Sequence, residues 1–253
     1  MATGAGDIFI TDPSSPAGAR PGDAPPESLE VRVRIAAARA HGLEVSAAFT
    51  VPAGVTILFG PSGAGKSTLL LAIAGLLKPD GGSIALGGTG WFDADLGVDL
   101  PAHLRGVSLV FQTLALFPHL TALQNVEYGI DRAVPRPERL RRAEAMLKRM
   151  KVQHVAGRKP ETFSGGEGQR VALARAFARS PRAVLLDEAF SAMDAPLRAE
   201  LHAEVRALVA ELRVPTLQVT HDRAEARTMG SRVVLLEAGK VKAVGAIDEL
   251  LPG

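Results

Sequence analysis

The sequence predicts an α/β fold: a core built on a mainly parallel sheet, preceded by an antiparallel β-subdomain and interrupted by a helical insertion. Three observations carry that reading. Short, almost wholly apolar runs recur at Val55–Phe59, Ala183–Leu186, Thr216–Val219 and Val233–Leu236, as strands buried on both faces of a parallel sheet do. Helical stretches at Lys66–Leu77, Glu167–Arg179, Pro196–Leu212 and Asp222–Met229 alternate with them, the order that yields crossover connections. From Leu29 to about Thr50 the chain instead alternates apolar and polar residues in two runs, the pattern of half-buried antiparallel strands.

Each remaining segment fits around that frame. Residues 1–28 are dominated by Ala, Gly, Pro, Ser and Asp, with no basic start followed by an apolar block. They read as a disordered tail rather than an export signal, which leaves 29–253 as one domain. The stretch from about 118 to 165 lacks a strand signal but places Leu140, Ala143, Leu147 and Met150 on one helical face. The opposite face carries Arg136, Arg139, Arg141, Arg142, Lys148, Arg149 and Lys151. It reads as a solvated face, not a nucleic-acid patch, and a net charge of only +2 over 253 residues gives no global basic field. With no cysteine, disulfides, thiolate zinc sites and cysteine nucleophiles are excluded, so any metal must sit on oxygen or imidazole. No apolar run reaches the roughly 18 to 20 residues of a membrane-spanning helix.

Two segments carry chemistry on their own. Gly60, Pro61, Ser62, Gly63, Ala64, Gly65, Lys66, Ser67 and Thr68 fit the phosphate-loop pattern, directly after the strand Val55–Phe59 and directly before a helix. Glycines let consecutive N–H groups point at one phosphate, the helix start adds its positive end, and Lys66 reaches the outer phosphates of ATP. Ser67 supplies a hydroxyl to Mg2+. The second segment, Ala183–Glu188, is a buried strand ending in Asp187 and Glu188. Paired acids at a strand tip are costly unless a cation sits there. Asp187 is then a metal anchor, bound directly or through a water, and Glu188 is placed as general base for an attacking water.

Between these lies Phe163-Ser-Gly-Gly-Glu-Gly-Gln-Arg170, which resembles the signature motif of ABC ATPases. Ser164 and Glu167 stand at capping-box spacing, so the segment reads as a helix start able to bind an anion. The resemblance implies that Ser164, Gly165 and Gly166 hold the γ-phosphate carried by the phosphate loop of a second subunit. It further implies metal and water contact for Gln112, cross-subunit alignment for Asp194 and γ-phosphate contact for His221. Departures from the family pattern are Phe163 and Glu167 in the signature, Gly168 in the first helical turn, Ala189 after the glutamate and Met193 before Asp194. No aromatic residue occupies the place where the family stacks adenine, and His41 is the nearest replacement. Trp91, after the glycine-rich turn 87–90, reads as packing.

Leu116-Phe-Pro-His-Leu-Thr121 and Asn125-Val-Glu-Tyr-Gly129 are similar to importer ATPases for oxyanions, metal ions, polyamines and sugars. Pro52–Thr56, Leu100–Arg105 and Gly239–Ala246 are similar to molybdate-type importers. The resemblance implies a homodimer on the cytoplasmic face of the membrane, docked to integral-membrane permease subunits and served by an extracytoplasmic solute-binding protein. A soluble ABC ATPase and a weakly hydrolysing regulatory module are the readings from other classes.

Overall fold

The computed structural model of the protein describes residues 28–40, 42–190, 193 and 195–252. Residues 1–27 of the tail assigned to 1–28, together with His41 and Asp194, lie outside the described residues. Ser28, given to the tail by composition, is already buried, and its carbonyl accepts a hydrogen bond from Gly87 N–H at 3.0 Å.

Among the described residues eleven strands form one sheet: β1 (Leu29–Ile35), β2 (Val45–Val51), β3 (Gly54–Phe59), β4 (Gly81–Leu86), β5 (Thr89–Asp93), β6 (Val98–Asp99), β7 (Val107–Val110), β8 (Ala183–Asp187), β9 (Pro215–Thr220), β10 (Arg232–Glu237) and β11 (Lys240–Ala246). Their order is β6-β5-β4-β1-β2-β11-β10-β3-β9-β8-β7. The neighbours β10, β3, β9, β8 and β7 pair in parallel, whereas β1, β2, β4, β5 and β6 pair antiparallel. Period-two alternation explains why the parallel strands read as unbroken apolar runs. Ile57, Val184 and Leu186 face one hydrophobic cluster, and Leu58, Ala183 and Leu185 face the other.

Among the described residues seven helices cover the two faces: α1 (Lys66–Ala74), α2 (Ala122–Gly129), α3 (Arg136–Arg149), α4 (Gly165–Ala178), α5 (Ala195–Leu212), α6 (Arg223–Met229) and α7 (Ile247–Leu250). α1 contributes Leu69, Leu70 and Ile73 to the core shared with β1, β2 and β4, while α2 to α6 pack into the opposite core. α1 stops three residues before the end its pattern predicts. Gly75 adopts a left-handed φ of 78° and closes the helix on Ala72 and Leu71 carbonyls. The fully buried Arg105 then donates to Ala72 O and Ile73 O at 2.9 Å each, satisfying carbonyls that a helix end leaves without partners.

The basic face of α3 is not simply solvated. Arg141 and Arg142 pair with Glu138 at 2.8 and 2.7 Å, and Arg139 pairs with Glu127 at 3.2 Å. Arg149 reaches Glu204 at 2.6 Å and Glu211 at 2.7 Å on α5, and Lys151 pairs with Glu200. Arg149 and Lys151 therefore fasten the helical segment to α5, while the other pairs stay within the segment. Trp91 is wholly buried, as packing requires.

One buried base makes the fold pH-sensitive. His202 on α5 lies edge-on against Phe190, centroids 4.6 Å apart, and is 3% exposed. Burial, reinforced by Arg198, pushes its pKa down from 6.5 to about 4. Because the folded value lies below the unfolded one, the unfolded chain takes up a proton that the folded chain refuses. Stability is thus complete above pH 6.5 and falls as pH drops toward 4, by about 2–3 kcal/mol. Urea denaturation at pH 7.5 and pH 5 checks this: His202→Leu should lose markedly less stability between the two than the wild type, and equal losses would disprove it.

Candidate nucleotide site

Because β3, β9, β8 and β7 are parallel neighbours, their carboxyl ends share one edge of the sheet. Register keeps those ends level, pairing Phe59 with Thr220, Asp187 with Val219 and Val110 with Leu186. The residues just beyond are the loop from Gly60, then His221, the pair Asp187–Glu188, and Gln112. Ligands of open α/β sheets bind outside such carboxyl ends.

The loop's shape follows from its glycines. Gly63 and Gly65 have φ of 79° and 96°, a region open to glycine at little cost. A Cβ on Gly60 would lie 2.0 Å from Leu236 O, so the loop can run against β10 only as it is. Gly239, in the β10–β11 turn, donates to Ala64 O at 3.1 Å and braces the loop from the same side. α1 opens at Gly65 without a side-chain cap, which leaves its first N–H groups to the loop. Lys66 is buried, and its ammonium donates to Gly60 O and Pro61 O at 2.8 Å each. Burial lowers its pKa, opposed by the charges of Glu188 and Asp187. Pro61, Ser62, Gly63 and Ser67 are exposed, and Ala64 and Thr68 are buried.

Asp187 closes β8 and its carboxyl is pushed up by burial, against a hydrogen bond with Ser67. Ser67 and Asp187 thus present adjacent hard oxygens, a donor set that suits Mg2+, and a divalent cation would offset the cost of burying that acid. Glu188 turns away from the strand with φ of 47°, a conformation in which a non-glycine residue stores strain of about 1–3 kcal/mol. The turn aims its carboxylate at two partners. His221 Nδ1 lies 2.9 Å from Oε1, and Gln112 Nε2 donates to Oε2 at 3.3 Å. Gln112 therefore faces Glu188 here, joined to it rather than to Asp187. With Nδ1 donating to Glu188, Nε2 of a neutral His221 is an acceptor, and only the protonated ring offers it as a donor to a phosphate oxygen.

Ser164, Gly165 and Gly166 open α4, and the bonds there run to Glu167, not to the cluster around Glu188. Ser164 Oγ accepts from Glu167 N–H at 3.2 Å while Glu167 Oε2 accepts from Ser164 N–H at 2.7 Å, a closed capping box. Gly168 has a reason: a Cβ there would come within 3.0 Å of Leu114 Cδ1, so glycine seats Leu114 against the helix. Ala189 and Met193 are both buried, which makes these departures from the family pattern packing choices. Sequence reading passed over two parts of the site: the bracing Gly239 and the bond between Gln112 and Glu188. Only the first had a signal, a tight Ala238-Gly239 turn between alternating strands.

Comparison with known proteins agrees with this arrangement. Residues 46–191 match the ABC transporter family. The molybdenum import ATP-binding protein ModC of Albidiferax ferrireducens is 44% identical over 198 residues, covering 78% of this chain and 53% of that protein. The trehalose/maltose import ATP-binding protein MalK of Thermococcus litoralis is 42% identical over 195 residues, covering 77% and 52%. The chain thus spans about half the length of these curated relatives. A solved ATP-binding cassette, a dimer in a post-hydrolysis state with ADP and phosphate, superposes with a TM-score of 0.73 at 30% identity, over 87% of this chain and 98% of that one. Since the family match takes in more than half of the chain, from before the phosphate loop to just beyond Glu188, this protein belongs to the ABC transporter family.

Proposed function

We propose that the chain is the ATP-hydrolysing subunit of an importer for molybdate or a similar oxyanion, closing as a homodimer around ATP and opening on hydrolysis. The observation that carries the ATP-hydrolysing part of this reading is the convergence of His221 and Gln112 on Glu188, beside Lys66 and Asp187; the 44% identity to a molybdenum import ATP-binding protein supports the cargo. In it, residues 29–253 form one ATPase domain with a helical subdomain at about 118–165. Backbone N–H groups of the loop 60–68 and Lys66 bind the phosphates. Ser67, Asp187 and Gln112 would hold Mg2+, which when bound offsets charge on the phosphate oxygens. Glu188 takes the proton of the attacking water, held in line by Gln112 and His221. Ser164, Gly165 and Gly166 complete the site of a second copy, with cross-subunit alignment assigned to Asp194 and adenine stacking to His41. The dimeric solved cassette supports the two-copy arrangement.

Among the described residues no helix is long and apolar enough to cross a membrane; in this reading the transport path is supplied by permease subunits. Leu120, Gln124, Tyr128, Ile130 and Arg132 line a groove of about 400 Å³ on the helical side, and Tyr128 there is 57% exposed. Phe117, beside it, is half-buried on Tyr128, centroids 4.5 Å apart, and beneath the Arg175 guanidinium. We place the permease contact at this groove, on the cytoplasmic face, with an extracytoplasmic solute-binding protein choosing the cargo.

The 42% identity to a trehalose/maltose import ATP-binding protein favours a second reading in which the cargo is a sugar, metal ion or polyamine. Uptake separates them. Deleting the gene should abolish molybdate uptake at trace concentration, with rescue by excess molybdate. Normal uptake at trace molybdate would discard the oxyanion cargo and leave the ATPase reading standing.

A further inference from the structure

Glu167 sets a problem for the composite site. Its carboxylate stands at the start of α4, where a phosphate of a second copy's ATP would also be drawn by free N–H groups and the helix dipole. An acid and a phosphate at one helix start repel each other, so a bare Glu167 would oppose the binding attributed to Ser164.

The structure supplies what answers it. His154 Nε2 lies 2.9 Å from Glu167 Oε1, and Arg158 Nη1 lies 3.5 Å from the same oxygen. Both come from one loop, built by two short 3-10 turns at Gln153–Val155 and Pro160–Thr162. Arg158 is itself fixed: Nε donates to Thr162 Oγ1 at 3.3 Å, Nη2 donates to Thr162 O, and Thr162 Oγ1 donates onward to Lys159 O at 2.8 Å. The other oxygen, Oε2, accepts from Ser164 N–H at 2.7 Å. The carboxylate is thus held between the loop and the backbone of Ser164. Its pKa is lowered first by that backbone bond and then by His154.

We propose that His154 and Arg158 are positioning residues for the phosphate-facing helix start: they offset and aim Glu167 so that the free N–H groups at the start of α4 stay open to a nucleotide phosphate of a second copy. Arg158 supplies the positive charge and His154 an N–H. This rests on the composite-site reading above. Neither residue touches substrate in this account; each acts through Glu167.

A double-mutant cycle tests it in the Glu188→Gln background, with Mg2+ and ATP. Light scattering reads dimerisation, and titration of a fluorescent ATP analogue reads binding to each monomer. Replacing His154 and Arg158 together with alanine should weaken ATP-driven dimerisation about fivefold, the size of a surface ion pair, with monomer affinity for ATP unchanged. Adding Glu167→Gln, which keeps the cap and removes the charge, should restore dimerisation to within about twofold. Equal weakening in the Glu167→Gln background would overturn the proposal, as would no weakening at all. A Glu188→Gln protein that binds ATP and never dimerises would instead bring down the composite site, and this proposal with it.

Discussion

Lys66→Ala should remove most nucleotide binding, weakening ATP affinity by roughly a hundredfold or more. Lys66 is the cation in the phosphate loop, and it is buried, so its charge acts where water screens little. In the structure its ammonium is satisfied by Gly60 O and Pro61 O at 2.8 Å each. Those carbonyls hold it at the loop's mouth until phosphate oxygens compete for it. A charge-assisted bond to a phosphate is about twice as strong as a neutral one, so the exchange favours bound nucleotide. Lys66→Met separates charge from packing, because it keeps most of the apolar stem. It should bind as poorly as the alanine variant, and both should melt near the wild type. Titration with a fluorescent ATP analogue reads the affinity. Near-wild-type binding by the methionine variant would move the phosphate site away from this loop.

What the sequence disclosed and what it hid divide along one physical line. Local patterns were readable. The apolar runs of β3, β8, β9 and β10 need no partner to be recognised, and the Ser164–Glu167 spacing forms the capping box it implies. The strands β4, β5 and β6 escaped, because Gly81, Gly82 and Gly90 dilute the alternation and a bulge between Ile84 and Ala85 shifts the register. The cap of α2 was present as Thr121 and Gln124 and was passed over, since few apolar residues follow it. Relations across the sheet were not readable. Gln112 and His221 lie 76 and 33 residues from Glu188 in the chain, and only the strand order β3-β9-β8-β7 brings them together. Arg105 likewise gives no sign in sequence that it closes the end of α1, since a buried arginine is defined by what surrounds it.

Glu188→Gln should stop turnover, by about a thousandfold, while leaving ATP bound, because it keeps the shape of the side chain and removes only the proton acceptor. The local structure argues that the variant stays in place. Its φ of 47° is set by the backbone, whose N–H donates to Val219 O at 3.3 Å, and an amide oxygen can still accept from His221 or Gln112. If the site is completed by Ser164, Gly165 and Gly166 of a second copy, each uncleaved ATP then joins two chains. The wild type should dimerise only in passing, whereas the glutamine variant should accumulate as a dimer with Mg2+ and ATP. Ser164→Arg added to it places a long side chain where the second copy's phosphate must sit, and the N-cap bond to Glu167 N–H is lost as well. Losing that cap costs only about 1 kcal/mol, too little to unfold the protein, so the double variant should bind ATP as a monomer and fail to dimerise. Light scattering with ATP titration on both variants decides the matter. A glutamine variant that binds ATP and remains monomeric would end the two-copy mechanism, and a dimer that survives Ser164→Arg would put the interface on another face.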